Sequence, residues 1–165
     1  MIRPARPDDV PAVMSLIRQL ARYEKLEHQV VGTEVDLRTA LFGSPARAEV
    51  LLVEEAGASV VAFALFFHNY STFLCKPGLY LEDLFVVPEA RRRGYGRALL
   101  RELARIAVER GCGRFEWAVL DWNEPAKAFY RSLGASELSD WRVMRVTGDA
   151  LATLAPDASA DRVRS

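Results

Sequence analysis

The sequence predicts one α/β domain, in which helices cover both faces of a mixed, mostly antiparallel sheet of six to seven strands. The chain has 165 residues, half of them hydrophobic, which suits one sizeable core better than two. Segments of β-strand character alternate with amphipathic helical segments, in an order that requires both antiparallel pairs and a helical crossover between parallel strands. We expect this domain to span residues 1–155 and residues 156–165, which lack periodicity, to form a flexible tail.

The first half of the chain predicts a strand, two helices and a hairpin. Residues 2–6 are typical of a short strand, and apolar side chains then recur at helical spacing over residues 9–23. A second helix is predicted to begin at Thr33, whose spacing to Asp36 matches a capping box, and to end at Gly43. Two β-rich runs separated by a short turn predict a hairpin, with strands at residues 50–54 and 60–70.

The second half alternates strands with helices. Residues 79–87 are predicted to form a strand that ends at Pro88, and an amphipathic helix follows Gly96. Gly111 and Gly113 are predicted to end that helix. The remaining predicted elements are a strand at 115–120, a helix that Asn123 opens and that ends near residue 133, and a strand at 141–146.

Charge and composition exclude several classes of protein. The chain has 22 basic and 22 acidic residues, so a globally basic nucleic-acid binder is not expected. Nothing resembles a membrane span of roughly 18 apolar residues or the apolar stretch of a signal peptide, so we expect a cytoplasmic protein. Cys75 and Cys112 form no CxxC pair and the two histidines belong to no metal-ligand motif, so neither a disulfide nor a metal site is predicted.

The most specific signal is Arg91-x-x-Gly94-x-Gly96, between a predicted strand and a predicted helix. The two glycines permit unusual backbone conformations and close approach of a ligand, and a helix N-terminus attracts anions. Arg91, Arg93 and Arg97 add guanidinium donors that suit phosphate oxygens. The segment lacks the Gly-Lys-Ser/Thr of a Walker loop and the third glycine of a dinucleotide fingerprint. It predicts a phosphate-binding loop, with a plain turn bearing solvated arginines as the alternative.

Residues 85–96 resemble the acetyl-CoA-binding motif of the GNAT superfamily of N-acetyltransferases, and the order of elements resembles its fold over residues 2–147. Residues 21–24, 79–86, 122–125 and 129–135 resemble blocks of the diamine (spermidine/spermine) N-acetyltransferase family, which includes enzymes for thialysine and other lysine-like amines. The resemblance implies a homodimer that transfers acetyl from acetyl-CoA to a primary amine of a small cationic substrate. Because neither cysteine has a base nearby in sequence, we expect direct transfer within a ternary complex.

The resemblance also implies which residues hold acetyl-CoA. In the family, main-chain amides of the loop hold the CoA pyrophosphate and the end of the preceding strand pairs with the pantetheine arm. The implied cofactor-binding residues are Leu84, Phe85, Val86, Arg91, Arg92, Arg93, Gly94, Tyr95, Gly96, Arg97, Asn123, Pro125, Ala126 and Tyr130.

Two residues are predicted to move protons. An ammonium group with a pKa near 10.4 must lose a proton before it attacks, and a nearby carboxylate can take that proton. Glu82 is the candidate base, and Asp83 is the candidate to hold the cation, with strand alternation placing the two side chains on opposite faces. Tyr130 is the candidate general acid, placed to protonate the departing CoA sulfur.

The acceptor pocket is predicted to be acidic and partly aromatic. Its implied residues are Tyr23, Glu24, Glu82, Asp83, Glu116, Trp117, Ala118 and Asp140. One alternative is an acetyltransferase for a protein N-terminus or a lysine side chain. Another is a non-enzymatic module that binds acyl-CoA, or nucleic acid through the arginines of residues 91–105. Zero net charge and the glycines of the loop argue against nucleic acid.

Overall fold

The fold is centred on a five-stranded mixed sheet. A computed structural model describes residues 1–57 and 59–155. The strands lie side by side in chain order, with antiparallel pairing except between the last two, which are parallel. They are β1 (Ile2–Pro4), β2 (Glu49–Glu54), β3 (Val60–Ser71), β4 (Lys76–Val86) and β5 (Arg114–Trp117).

Five α-helices accompany the sheet in the part of the chain that the structure describes. They are α1 (Val10–Glu24), α2 (Glu34–Phe42), α3 (Tyr95–Glu109), α4 (Glu124–Arg131) and α5 (Gly148–Leu154). The chain divides into two compact units: Met1–Ala118, with the sheet and α1 to α3, and the residues from Val119 onward, with α4 and α5. None of the described helices combines the length and apolar character that crossing a bilayer requires.

Both faces of the sheet are covered within the first unit. On one face, α1 and α2 pack on alternate strand residues in a core made of Val13, Leu16, Leu20, Leu41, Val50, Leu52, Phe63 and Phe85. The intervening residues Leu51, Ala62 and Phe66 are also buried, and α3 packs against β2, β3 and β4 through its own buried leucines. The predicted α/β class, with a mixed sheet and helices on both faces, is therefore confirmed.

Local sequence signals place several element ends correctly. Thr33 caps α2 as predicted: its Oγ1 accepts a hydrogen bond from the Asp36 N–H at 3.2 Å, and the Asp36 carboxylate accepts one from the Thr33 N–H at 2.9 Å. The predicted hairpin is formed by β2 and β3. β4 begins three residues earlier than predicted, at Lys76, because it pairs with β3 along almost its whole length.

The strand predicted at residues 141–146 is wrong. This segment is irregular, and Trp141, Val143 and Met144 are strongly exposed. Its β-forming residues lack a partner strand in the described part of the chain, and a strand alone is not stable. Over the described residues the sheet consequently has five strands rather than six or seven. Helix α5 was not predicted, and the predicted tail at residues 156–165 lies outside the described residues.

Candidate active site

The predicted phosphate-binding loop connects β4 to α3. Gly94 is the N-cap of α3 and has φ +84°, a left-handed conformation that strains residues with a side chain. The first intrahelical hydrogen bond runs from the Ala98 N–H to the Gly94 carbonyl at 3.0 Å, so the preceding N–H groups of this turn have no partner within the helix. A Cβ atom built on Gly94 meets no atom within 4 Å. These features fit an anionic group lying against the helix N-terminus.

The Arg91 side chain ties the loop to its surroundings. Its guanidinium carbon lies 4.9 Å from the ring centroid of Tyr23 at the end of α1 and 5.7 Å from that of Phe85 on β4. Its Nε donates a hydrogen bond to the Val86 carbonyl at 3.1 Å. Arg91 thus joins the predicted phosphate loop to Tyr23, one of the predicted acceptor-binding residues, through cation–π contacts.

Glu55 forms a second tether to the loop, and sequence analysis did not identify it. Its Oε1 accepts hydrogen bonds from Arg93 Nη1 at 3.0 Å and from the Tyr95 hydroxyl at 2.7 Å. These contacts lower the pKa of Glu55, the Tyr95 hydrogen bond most. Because 38 residues separate Glu55 from Arg93, no sequence spacing indicates the contact. Arg92 and Arg97 are exposed.

Strand β4 contains a β-bulge at the candidate base. Leu65 pairs with Asp83, whereas its neighbour Phe66 pairs with Leu81, so Glu82 is an extra residue in β4. A bulge disrupts the ladder and re-aims side chains. The prediction that Glu82 and Asp83 point to opposite faces assumed the regular alternation of side chains along a strand. The bulge interrupts that alternation, so the assumption does not hold at these two residues. Bulges are common beside active sites.

Three of the predicted acidic residues come together in the first unit. Asp83 is half-buried, and its pKa is raised to about 6, first by burial and then by the nearby charges of Glu82 and Glu24. Burial also raises the pKa of Glu24. Glu24 is the last residue of α1, which ends where Lys25 adopts a left-handed conformation. The negative end of the α1 dipole adds to the negative potential of the three carboxylates, and such a site favours a cation.

Strand β5 divides its predicted substrate residues between the two faces of the sheet. Glu116 is in register with Tyr80, and Trp117 with Leu81. Since consecutive side chains alternate, Glu116 and Trp117 point to opposite faces. Tyr80 pairs with Phe67 of β3 and Asp83 with Leu65, two residues earlier, so Glu116 lies on the same face as Asp83. Burial and the charges of Glu82 and Glu116 raise the pKa of Tyr80. Ala118 follows the strand directly.

The second unit holds the other predicted catalytic residue. Asn123 caps α4, its side-chain oxygen accepting the Ala126 N–H at 3.3 Å, and Pro125 lies in the first turn. The rings of Tyr130 and Phe129 are 5.5 Å apart. The buried Lys127 ammonium lies 2.5 Å from Glu124 and 3.5 Å from Asp121, so these two carboxylates have a cation of their own. Asp140 is exposed in an irregular segment.

Comparison with known proteins identifies the family of the chain. The profile of the Acetyltransferase (GNAT) family matches residues 17–135. The chain is 39% identical to the thialysine N-epsilon-acetyltransferase of Bos taurus, over 94% of this chain and 96% of that protein. It is 37% identical to the L-ornithine N5-acetyltransferase of Arabidopsis thaliana, over 91% of this chain and 85% of that protein.

The solved structures extend the similarity to the fold. An integron cassette protein from the mobile metagenome of V. cholerae superimposes with a TM-score of 0.78 at 27% identity, over 93% of this chain and 96% of that one. Family profile, relatives and fold agree over most of the chain. This protein belongs to the GNAT family and is an acetyl-CoA-dependent N-acetyltransferase.

Proposed function

We propose that this enzyme acetylates a primary amine of a small cationic substrate (a polyamine, a diamine, or a thialysine- or lysine-like amine) by direct transfer in a ternary complex. The observation that carries the proposal is the convergence of three carboxylates in one unit. Glu82 and Asp83 lie on β4, which leads to the phosphate-binding loop, and Glu24 ends α1. A site with this charge attracts a cation and disfavours anionic acceptors. The named activities of the thialysine and ornithine enzymes support the same class of acceptor.

The loop residues suit the phosphates of acetyl-CoA, which supplies the thioester when bound. The N–H groups at the start of α3 would hold the pyrophosphate, and the open space at Gly94 lets it approach. The exposed Arg92 and Arg97 add positive charge, while Arg91, Arg93 and Tyr95 hold the loop to the sheet. The edge of β4 at Leu84, Phe85 and Val86 would pair with the pantetheine arm, and Asn123, Pro125 and Ala126 would contact it from the start of α4.

We assign the proton acceptor to Glu82, which is exposed at the bulge of β4. Asp83 would hold the incoming ammonium, because a cation offsets both the burial and the repulsion by Glu82 and Glu24 that raise the pKa of Asp83. Tyr23, Glu24, Glu116, Trp117, Ala118 and Asp140 are the further acceptor-binding residues of this proposal. Tyr130 would return a proton to the departing CoA sulfur.

We also propose a cytoplasmic homodimer. Cys75 and Cys112 are free thiols, which suits a reducing compartment. The exposed apolar side chains of residues 138–146 suit an interface between two copies of the chain.

An acceptor panel tests the proposed class of substrate. The protein is assayed with acetyl-CoA against spermidine, 1,4-diaminobutane, thialysine, lysine and a set of unblocked peptides, with CoA release as the readout. We expect turnover of the small cationic amines. Activity restricted to peptide N-termini would contradict the small-amine assignment.

A further inference from the structure

The Arg91 side chain joins two elements that belong to different parts of the site. Its guanidinium carbon lies 4.9 Å from the Tyr23 ring centroid and 5.7 Å from that of Phe85. Phe85 is 4% exposed and belongs to the core, whereas Tyr23 is 41% exposed and directly precedes Glu24 at the end of α1. Arg91 therefore connects the buried part of β4 to the helix end that contributes one of the three clustered carboxylates.

The exposed Arg91 guanidinium has donors to offer a ligand. Its Nε donates to the Val86 carbonyl at 3.1 Å, and over residues 1–57 and 59–155 its two Nη groups have no recorded acceptor. No carboxylate in those ranges pairs with Arg91, whereas its neighbour Arg93 pairs with Glu55 at 3.0 Å. A guanidinium stacks through its faces and donates N–H bonds from its edge, so a phosphate oxygen can bind Arg91 without displacing the rings.

The backbone beside Arg91 adopts a conformation that needs support. Arg92 has φ +64°, in the left-handed region, and Gly94 follows with φ +84°. A residue with a side chain enters this region at a cost in free energy and stays there where surrounding contacts hold it. The contacts of Arg91 and the ion pair of Arg93 anchor the residues on either side of Arg92. The shape of the phosphate-binding loop and the placement of the Arg91 guanidinium therefore depend on each other.

We infer that Arg91 is a positioning residue for the acceptor, through which an anion on the phosphate-binding loop and an amine at the three carboxylates strengthen each other's binding. The anion fixes the guanidinium, the guanidinium fixes the Tyr23 ring, and the ring fixes the end of α1 that carries Glu24. Because coupling between two ligands is reciprocal, the amine tightens binding of the anion by the same factor. This inference rests on the proposed function and gives a residue of the cofactor loop a role in holding the acceptor.

Calorimetry with CoA measures this coupling without turnover, since CoA carries no acetyl group to transfer. The Kd of CoA is determined at pH 7.5 alone and with saturating 1,4-diaminobutane, spermidine or thialysine, the ionic strength being matched with KCl. We expect an amine that the protein acetylates to tighten CoA binding about three- to tenfold, the range for a coupling carried by two cation–π contacts. No tightening by such an amine would overturn this inference alone, whereas acetylation of none of the three would overturn the proposed function as well.

A double-mutant cycle locates the coupling. We expect Arg91→Met and Tyr23→Leu each to reduce the tightening by the amine to less than about twofold. The double variant should show no further loss, because both substitutions break the same contact. Tyr23→Phe retains the aromatic ring and should keep the tightening of the wild type. Arg91→Lys retains the charge but not the planar face, and should give an intermediate value.

Arg93→Met is the matched control from the same loop. Arg93 pairs with Glu55 and, in the described part of the chain, has no recorded contact with α1. Its loss should weaken CoA binding and leave the tightening by the amine unchanged. A tightening that persists in Arg91→Met or Tyr23→Leu would pass through other contacts and would overturn the inference. An equal loss of tightening in Arg93→Met would assign the coupling to the loop as a whole and would also overturn it. Thermal unfolding midpoints of the variants identify any general loss of folded protein.

Discussion

At the scale of single residues, the ionised Asp83 carboxylate lowers the stability of the fold while providing a charge that can bind a cation. Its pKa is raised to about 6 from an ordinary value of 3.8. The folded state therefore binds this proton more tightly than the unfolded state, and stability falls as pH rises from about 4 to about 6. A shift of this size corresponds to at most roughly 3 kcal/mol at neutral pH. The carboxylate is held in place against a stability cost, as expected of a cation-binding group.

Replacing Asp83 tests this cost. We expect Asp83→Asn to increase the free energy of unfolding at pH 7.5 by about 1–3 kcal/mol, because the amide has no charge to bury beside Glu82 and Glu24. Urea titrations measure the change. At pH 4 the wild-type carboxyl is mostly protonated, so the two proteins should then be nearly equally stable. An equal difference at both pH values would mean that packing, rather than ionisation, is responsible.

Tyr130 is the second residue whose role can be isolated. We expect Tyr130→Phe to lower kcat by about 10²- to 10⁴-fold, the range typical of lost general acid catalysis. Calorimetric affinity for CoA should be nearly unchanged, because the ring and its contact with Phe129 are retained. Tyr70→Phe is the matched control, since it removes a phenol hydroxyl from an exposed tyrosine on β3. Unchanged turnover in Tyr130→Phe would remove this residue from the mechanism.

At the scale of elements, the junction of β4 and α3 depends on contacts from other elements. The bonds from Arg93 and Tyr95 to Glu55 hold both sides of Gly94 to the end of β2. We expect Glu55→Gln to raise KM for acetyl-CoA several-fold by loosening this loop, with kcat and the acceptor KM unchanged. Steady-state kinetics with each substrate varied in turn measure the three parameters.

Glu49→Gln is the control for this tether. Glu49 lies at the other end of β2 and pairs with Arg110, so its loss removes a similar surface ion pair away from the loop. We expect its KM for acetyl-CoA to equal that of the wild type. If both variants raised this KM alike, the effect would reflect the sheet as a whole rather than the Glu55 tether.

The elements also show which features a sequence discloses. The cap of α2 at Thr33 and the start of α3 after Gly94 depend on residues a few positions apart, so local patterns predict them. The bulge at Glu82 and the contact between Glu55 and Arg93 depend on pairing between distant segments. Periodicity along one strand carries no information on such pairing. The candidate residues were therefore accessible from sequence, whereas their mutual orientation required the structure.

At the scale of the whole molecule, the net charge of zero is the sum of a positively charged region and a negatively charged region. Six of the 19 arginines lie between residues 91 and 105, at and after the predicted phosphate loop. The carboxylates of Glu24, Glu82 and Asp83 form a negative region in the same unit. The net charge of zero argues against a general binder of polyanions. The separation of the charged residues into two regions suits one anionic and one cationic substrate. Total charge alone predicts neither.

The failed strand at residues 141–146 leads to a prediction about assembly. Val143 and Met144 are 83% and 89% exposed, and Trp141 and Leu138 are exposed nearby. A segment with β-forming residues and exposed apolar side chains favours pairing with another surface. We expect the protein to be a homodimer in which this segment becomes ordered. Light scattering after size exclusion at about 50 μM should give the dimer mass, as interfaces of ordinary size bind well below that concentration.

A charged substitution tests whether this segment forms the interface. We expect Val143→Glu to shift the protein to the monomer, because burying an unpaired carboxylate is costly. Val108→Glu is the matched control, since Val108 is equally exposed on α3, and this variant should remain dimeric. Hydrogen exchange of residues 141–146 should be slow in the wild type and fast in Val143→Glu. A wild-type monomer, or a dimer unaffected by Val143→Glu, would place the interface elsewhere or exclude it.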